Sequence, residues 1–386
     1  MRKIAYLAFL TIVAAGLADG GVNAQTCGQG LDLTRPICLG SPGSNIKMLQ
    51  INSQGEITGC CTGTLGSMVQ GPGGKYILSN NHVLARVNLG KPGEGIIEPG
   101  CPLSDPTSDI VAHLSADAKI SFAPDGKNEI DAAIAHIVAG DVSSEILNIG
   151  PISNKVAPAV VNLPVQKMGS TSGLTQGVVI EIGFDASGSN AVEYADQCDS
   201  GSGTATFVNQ IVVQGSAGLF AEPGDSGSLV VTTDACPRPV GLLFAGDNSD
   251  VYLNPIGIVL SHFGVSFVAG CTASSAAAGS SASEVASDEA KAGSEDTQNE
   301  AAAFANISGI SLDAINYAKG VKSRYEKDLF ATPGVTGVGI GASGEPGVPS
   351  IDVHVTQNSQ SLRDAMPDSL EGIPVKVVVG GPIHAL

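Results

Sequence analysis

The chain has 386 residues, a formal net charge of −18 and a sequence pI near 4.5, a surface that repels phosphate backbones and anionic head groups and so excludes nucleic acid as a natural partner. Its 50 glycines and lack of tryptophan fit many short strands and tight turns better than a helical bundle. The length exceeds what one hydrophobic core usually fills, so more than one domain is expected.

Residues 1–24 read as a signal peptide: Met1-Arg2-Lys3 is followed by an apolar run from Ile4 to Leu17, then by Val22-Asn23-Ala24 before Gln25. The run is shorter than a spanning helix needs, and no later stretch reaches that length uninterrupted, so no membrane span is expected. The mature protein is expected to be secreted, extracellular or periplasmic. All eight cysteines precede residue 272, and an even number in an exported chain points to disulfides. Cys60 and Cys61 are adjacent and no CxxC or histidine cluster accompanies them, so no metal and no cofactor is expected.

Residues 25–271 form the first folded region. From about Gln50 to Phe267, β-rich runs such as Thr64–Val69, Tyr76–Leu78, Val178–Ile182, Ile211–Val213, Ser228–Val231 and Val240–Phe244 alternate with Gly, Pro, Asn and Asp. Strands at this spacing predict barrels or a sandwich. Residues 272–310 shift to Ala, Ser, Gly, Glu and Asp and read as a linker with too little apolar surface to order itself. Residues 311–386 regain globular patterning: Ser311 as an N-cap, a stripe of Leu312, Ile315, Ala318, Val321, Tyr325 and Leu329, then strands, a short helix near 361–366 and a last strand from Ile373 to Val379. This is a small α/β domain with no obvious catalytic cluster; His354 and His384 in it read as ordinary core or surface histidines. It could position substrates, occupy a cleft as an internal inhibitor, or only stabilise the fold.

The chemistry concentrates in three places. Pro223-Gly224-Asp225-Ser226-Gly227-Ser228 sets a serine between glycines, where the amides of Gly224 and Ser226 can point at one spot and stabilise an oxyanion. Asn80-Asn81-His82-Val83 supplies a candidate base after a strand, and Asp131 at the start of Asp131-Ala132-Ala133-Ile134-Ala135 a carboxylate to fix its tautomer. The order His82, Asp131, Ser226 differs from that of subtilisins and α/β-hydrolases. Ser228 also breaks the G-x-S-x-G elbow of the latter.

On these motifs, residues from about Thr62 to Val259 resemble the trypsin-like serine protease family, particularly its bacterial branch with an Asn-Asn-His-Val histidine motif. Gly63-Thr64-Leu65-Gly66 resembles the strand before the histidine. Lys167-Met168-Gly169 with Gly173 and Gly177 resembles a strand-turn of the bacterial branch, and Pro239–Gly246 the strand lining the substrate cleft. The resemblance implies a mainly β fold of two packed β-barrels, His82 and Asp131 on the first and Ser226 on the second. It also implies an oxyanion hole from Gly224 and Ser226, a substrate cleft bounded by Phe220, Phe244, Ala245 and Gly246, and protein or peptide substrates. Phe220 stands where an acid would select Lys or Arg, so that preference is not expected.

The chain departs from the family in two respects. Val83 stands where many animal members carry Cys, which leaves Cys60 and Cys61 to other partners, Cys101 among them. No Ile-Val-Gly-Gly start is present to pair a new amino group with Asp225, so direct folding to the active form is expected. Asp109, His113, His136, His262 and the Gly201-Ser202-Gly203 loop are weaker rivals, each lacking part of the motif context. The function expected is a secreted serine endopeptidase; the alternative is a catalytically silent, protease-like binding or scaffold protein. No motif speaks to the oligomeric state.

Overall fold

The computed structural model describes residues 35–102, 105–138, 140–186, 191–195, 198–272, 307–357 and 359–386. The expected signal peptide and residues 273–306 of the expected linker lie outside them. The chain is mainly β: two packed barrels, with an α/β unit joined to the second.

The first barrel uses β1 (Pro42–Asn45), β2 (Gly63–Thr64), β3 (Ser67–Gly71), β4 (Gly74–Ser79), β5 (Gly95–Ile97), β6 (Ile110–Asp117) and β7 (Ala133–Ile137), with the short helix α1 (Asn81–Leu84) after β4. The sheet runs β3-β4-β7-β6-β5-β1, and β1 pairs with β2. Because β2 and β3 are halves of one run broken at Leu65-Gly66, that last pairing closes the ring. The second barrel is built from β8 (Pro164–Gly169), β9 (Gly173–Ala186), β11 (Gln210–Gly215), β12 (Leu229–Thr232), β13 (Pro239–Gly246) and β14 (Asp250–Pro255), with β10 (Val192–Tyr194) in the excursion between β9 and β11. Its ring closes in the order β8-β9-β11-β14-β13-β12 and back to β8. This is the double barrel expected from the motifs.

Strands β12 and β13 read as unbroken apolar runs because both their faces are covered, which a half-buried strand would not allow. Leu229, Val231 and Leu242 join the first barrel's core together with Ile256 and Val259 of helix α2 (Ile256–Phe263), while Val230, Val240 and Leu243 face the second. Along β12 the period of two thus distributes one segment between two cores.

Disulfides join Cys60 to Cys101, Cys61 to Cys198 and Cys236 to Cys271, and Cys38 is disulfide-bonded as well. The second of these ties the first barrel's rim to the excursion that carries β10. Among the described residues no helix is long and apolar enough to cross a membrane.

The C-terminal unit comprises α3 (Leu312–Phe330), β15 (Val335–Ala342), β16 (Pro349–Val355), α4 (Gln360–Ala365), β17 (Ile373–Val379) and β18 (His384–Ala385). Ser311 caps α3 by accepting from the Ala314 amide, and Ile315, Ala318, Val321 and Leu329 are its buried stripe. The unit does not stand apart behind a linker: β15 pairs antiparallel with the overhanging end of β9, so the barrel sheet continues into it. Ile310, at the end of the expected linker, is buried in the core that both share. The joint is also polar. Lys322 on α3 bonds Asp185 on β9 at 2.6 Å, and His354 on β16 bonds Glu181 on β9 at 2.8 Å with both side chains buried.

Beside that pair, burial and the neighbouring Glu181 push the Asp352 carboxyl up to about 6. Burial alone would lower the His354 imidazole, but Glu181 and Asp352 raise it on balance. A raised folded-state pKa means that the folded chain holds protons the unfolded chain has released, so stability falls as pH rises through the folded value. Thermal melts should therefore show Tm falling between about pH 4 and 6 from Asp352, a loss of about 3 kcal/mol in stability that Asp352→Asn should flatten. An unchanged pH profile in the variant would refute this account of the joint.

Candidate active site

Strand β4 ends at Ser79, and the two asparagines that follow are both buried. Asn80 donates through Nδ2 to the Asp131 carbonyl at 2.7 Å, and Asn81 through Nδ2 to the Ala118 carbonyl at 2.7 Å. Asn81 Oδ1 also accepts from the Asn88 amide at 2.8 Å. These side-chain amides thus satisfy backbone groups in the segments after β6, before β7 and beyond α1. His82 sits on α1 just beyond, mostly covered.

Asp131 precedes β7 and is fully buried. Its Oδ2 accepts from His82 Nδ1 at 2.6 Å and from the Tyr194 hydroxyl at 2.8 Å, and its Oδ1 from the His82 amide at 3.2 Å. Asn254 on β14 fixes the Asp131 backbone by accepting from its amide at 2.9 Å. With Nδ1 donating to the carboxylate, Nε2 is left as the proton acceptor. No group among the described residues bonds that atom. Burial, and then the Asp131 charge, hold the Tyr194 phenol well above its usual range, so it remains a donor.

Ser226 lies in the turn between Pro223 and Ser228. Gly224 and Gly227 both take positive φ, at 103° and 92°. A Cβ on Gly224 would collide with the Thr171 hydroxyl, and one on Gly227 with Ser79 and the Thr64 carbonyl, so both positions require glycine. Thr64 joins the barrels here: its amide donates to the Ser226 carbonyl at 2.7 Å and its hydroxyl to the Gly224 carbonyl at 3.0 Å. Among the described residues neither the Gly224 nor the Ser226 amide donates to another group. The Ser226 hydroxyl donates to the Phe244 carbonyl at 3.1 Å and not to His82. The His82–Asp131 pair is formed; the bond from serine to histidine is not.

Behind the turn, Asp225 is fully buried and pairs with Lys167 Nζ on β8 at 3.1 Å. Its oxygens also accept from the amides of Thr171, Ser172 and Glu222 and from the Ser172 hydroxyl. Burial lowers the Lys167 pKa, and the Asp225 charge opposes that fall. The Lys167 ammonium is thus the positive partner of Asp225.

The cleft residues are placed differently from one another. Phe244 and Ala245 are buried on β13 and present their backbone, with Gly246 at the strand's end. Phe220 does not reach the cleft: it is buried in the second barrel's core against Gly177, with the Lys167 ammonium 5.8 Å from its ring. The loop before Pro223 takes a course that the sequence position alone does not reveal. A cavity of about 460 Å³ lies between the barrels, lined by Thr62, Gly63, His82, Tyr194 and Gly224, and by His384, Ala385 and Leu386 from the C-terminal unit. His384, read from the sequence as ordinary, belongs to β18, which pairs antiparallel with β13 and parallel with β10 inside this cleft.

Sequence reasoning missed Tyr194, for which there was no local signal: it lies on a three-residue strand in a Gly/Ser-rich excursion. The rivals fall away from the site. His113, His136 and His262 are exposed, and none is bonded to a carboxylate among the described residues. Asp109 ends a short helix before β6. Among the described residues no cluster of side chains could hold a metal.

The model of the Nal1 C-terminal domain family matches residues 127–254. No curated protein matches the chain. Among solved structures it is similar to Thermobifida fusca Protease A, with 19% identity over 60% of this chain and 98% of that one at a TM-score of 0.37. It is also similar to Cellulomonas bogoriensis chymotrypsin, with 18% identity over 60% and 98% at 0.37, and to a Nocardiopsis protease, with 14% over 59% and 96% at 0.37. At such identities the likeness concerns the fold.

Removing one partner of a fully buried ion pair leaves an uncompensated charge, so Lys167→Met should destabilise the chain by about 3–5 kcal/mol. Urea denaturation checks this, with Lys167→Arg as the charge-retaining control; a loss under about 1 kcal/mol would show that Asp225 is held without the lysine.

Proposed function

We propose that the chain is a secreted serine endopeptidase in which Ser226 is the nucleophile, His82 the general base and Asp131 the residue that orients it. The observation that carries this reading is the His82–Asp131 bond of 2.6 Å, which leaves Nε2 unpartnered while His82 and Gly224, two residues before Ser226, line one cavity. In the reaction proposed, the Ser226 side chain first rotates off the Phe244 carbonyl toward Nε2. His82 takes the hydroxyl proton as Oγ attacks the carbonyl carbon of a peptide bond. The amides of Gly224 and Ser226 stabilise the oxyanion, and His82 then gives the proton to the leaving amine. Water repeats the steps in reverse order to free the acyl group. The disulfides fit an oxidising, extracellular destination. No nucleic-acid partner is proposed for so acidic a surface.

One observation favours the second reading, a catalytically silent binding protein: Ser226 donates to the Phe244 carbonyl and not to His82. Catalytic bonds in unliganded enzymes are often loose and tighten only with substrate, which keeps the peptidase reading ahead.

Labelling with a fluorophosphonate separates the two, because it needs an activated serine and not merely an exposed one. The peptidase reading expects labelling that Ser226→Ala abolishes, together with cleavage of a peptide library; a chain that keeps Ser226 and stays unlabelled, with Leu386→Pro and Ile383→Asp unlabelled too, would refute it. Tyr194→Phe removes one of the donors that hold Asp131 and should lower kcat about tenfold with KM unchanged, read from initial rates.

A further inference from the structure

Strand β18 lies on β13 in a defined register. Ala385 is opposite Ala245 and His384 opposite Gly246, and the next amide, that of Leu386, donates to the Phe244 carbonyl at 3.2 Å. That carbonyl also accepts from the Ser226 hydroxyl. The backbone of Leu386 and the candidate nucleophile thus share one acceptor. The segment runs antiparallel to β13, from Gly246 toward Phe244, so the carbonyl side of Leu386 leads on toward the catalytic turn. An extended peptide added to a sheet edge, with main-chain bonds giving affinity and alternate side chains giving selectivity, is the usual recognition mode for such an edge.

The side chains occupy built positions. Ile383 is buried among Tyr194, Phe207, Phe244 and Tyr252. Leu386 packs against the second barrel's core, and its methyl carbons lie 3.3 Å from where a Cβ on Gly246 would stand, so Gly246 is the floor beneath the leucine. His384 reaches Glu193 on the rim at 3.3 Å, an exposed pair that adds little. Leu386 lines the same cavity as Thr62, Gly63, His82 and Gly224, so the segment reaches the space between the candidate base and the Gly224 turn.

We propose that residues 381–386 are a substrate-like ligand held in cis, filling the acyl side of the cleft with Leu386 in the position that precedes a scissile bond. The segment restrains the site until it is displaced, and it names the substrate class: an aliphatic residue at that position, a small one before it and a branched aliphatic three residues upstream. This rests on the peptidase reading for its consequence on turnover, but the occupancy itself does not.

The test uses the full chain and two variants, Leu386→Pro, which removes the amide donor to Phe244, and Ile383→Asp, which removes the buried anchor, each checked for an unchanged melt. Fluorophosphonate labelling and hydrolysis of an Ile-His-Ala-Leu anilide should be about tenfold faster or more in both variants, since the tethered segment competes at high effective concentration. Added Gly-Pro-Ile-His-Ala-Leu peptide should restore the slow rate, and an Ile-His-Ala-Lys anilide should be the poorer substrate. Equal rates in wild type and variants would overturn the proposal and leave the peptidase reading standing. If nothing labels, that reading fails, and the proposal is decided by fluorescence anisotropy with the fluorescein-labelled hexapeptide: saturable binding to Ile383→Asp and exclusion from wild type support it, and no binding to either overturns it.

Discussion

The buried pair between Lys167 and Asp225 is the constraint on which the site depends. Taking two charges out of water is costly and is offset only where the remaining lone pairs and protons find partners. Asp225 meets that condition with three backbone amides and a hydroxyl besides the lysine, drawn from the β8–β9 hairpin and from Glu222. The turn bearing Ser226 is therefore held from behind by a different part of the barrel. Thr64 then bonds the carbonyls of the same turn, so the placement of the first barrel, and of His82 with it, is referred to the same point.

The order of the motifs was legible because each is imposed locally. A serine in a Gly-rich turn is usually only a turn, and it became informative through its order with Asn80-Asn81-His82-Val83 and Asp131. What supports those residues was not legible. Tyr194, Asn254 and Lys167 reach their partners across 63, 123 and 58 positions, and no local pattern records which distant polar group a side chain will meet. The same limit applied to the cysteines: Cys101 was one partner open to Cys60 or Cys61, and only the fold chooses between them. Phe220 shows the converse error, a position counted back from Ser226 along a loop whose path is set by core packing. Strand spacing gave only barrels or a sandwich, and the double barrel came from the resemblance carried by the motifs; the interruption at Leu65-Gly66 that closes the first ring was not readable.

The C-terminal unit was read correctly for its helix and strands and not for its attachment. Strand β9 is 14 residues long, and its register shifts near Glu181 and again between Ile182 and Asp185. Bulges of this kind bend a strand and re-aim its end. The barrel uses the first part; the overhang carries β15. A helix whose apolar stripe needs a sheet thus finds one begun by the barrel, which explains why Ile310, Ile315 and Val335 share a core with Val179 and Leu253. Glu181 and Asp185 at this joint meet His354 and Lys322, so the attachment is specified by charge as well as by apolar burial.

This attachment links the joint to the cleft. The chain that leaves the unit's last long strand at Val379 returns within a few residues to β13, so residues 381–386 arrive at the cleft at a concentration set by how firmly the unit is docked on β9. Loosening the joint lowers that concentration without touching a residue of the cleft. Coupling of this sort is reciprocal: whatever the docked unit contributes to filling the cleft, a peptide that takes the cleft removes from the docking of β18. The free energy available is bounded by the few contacts involved, two main-chain pairings with β13 and one with β10, one buried isoleucine and one partly buried leucine, which is enough to hold a site closed in cis and weak enough for a well-matched substrate to displace it.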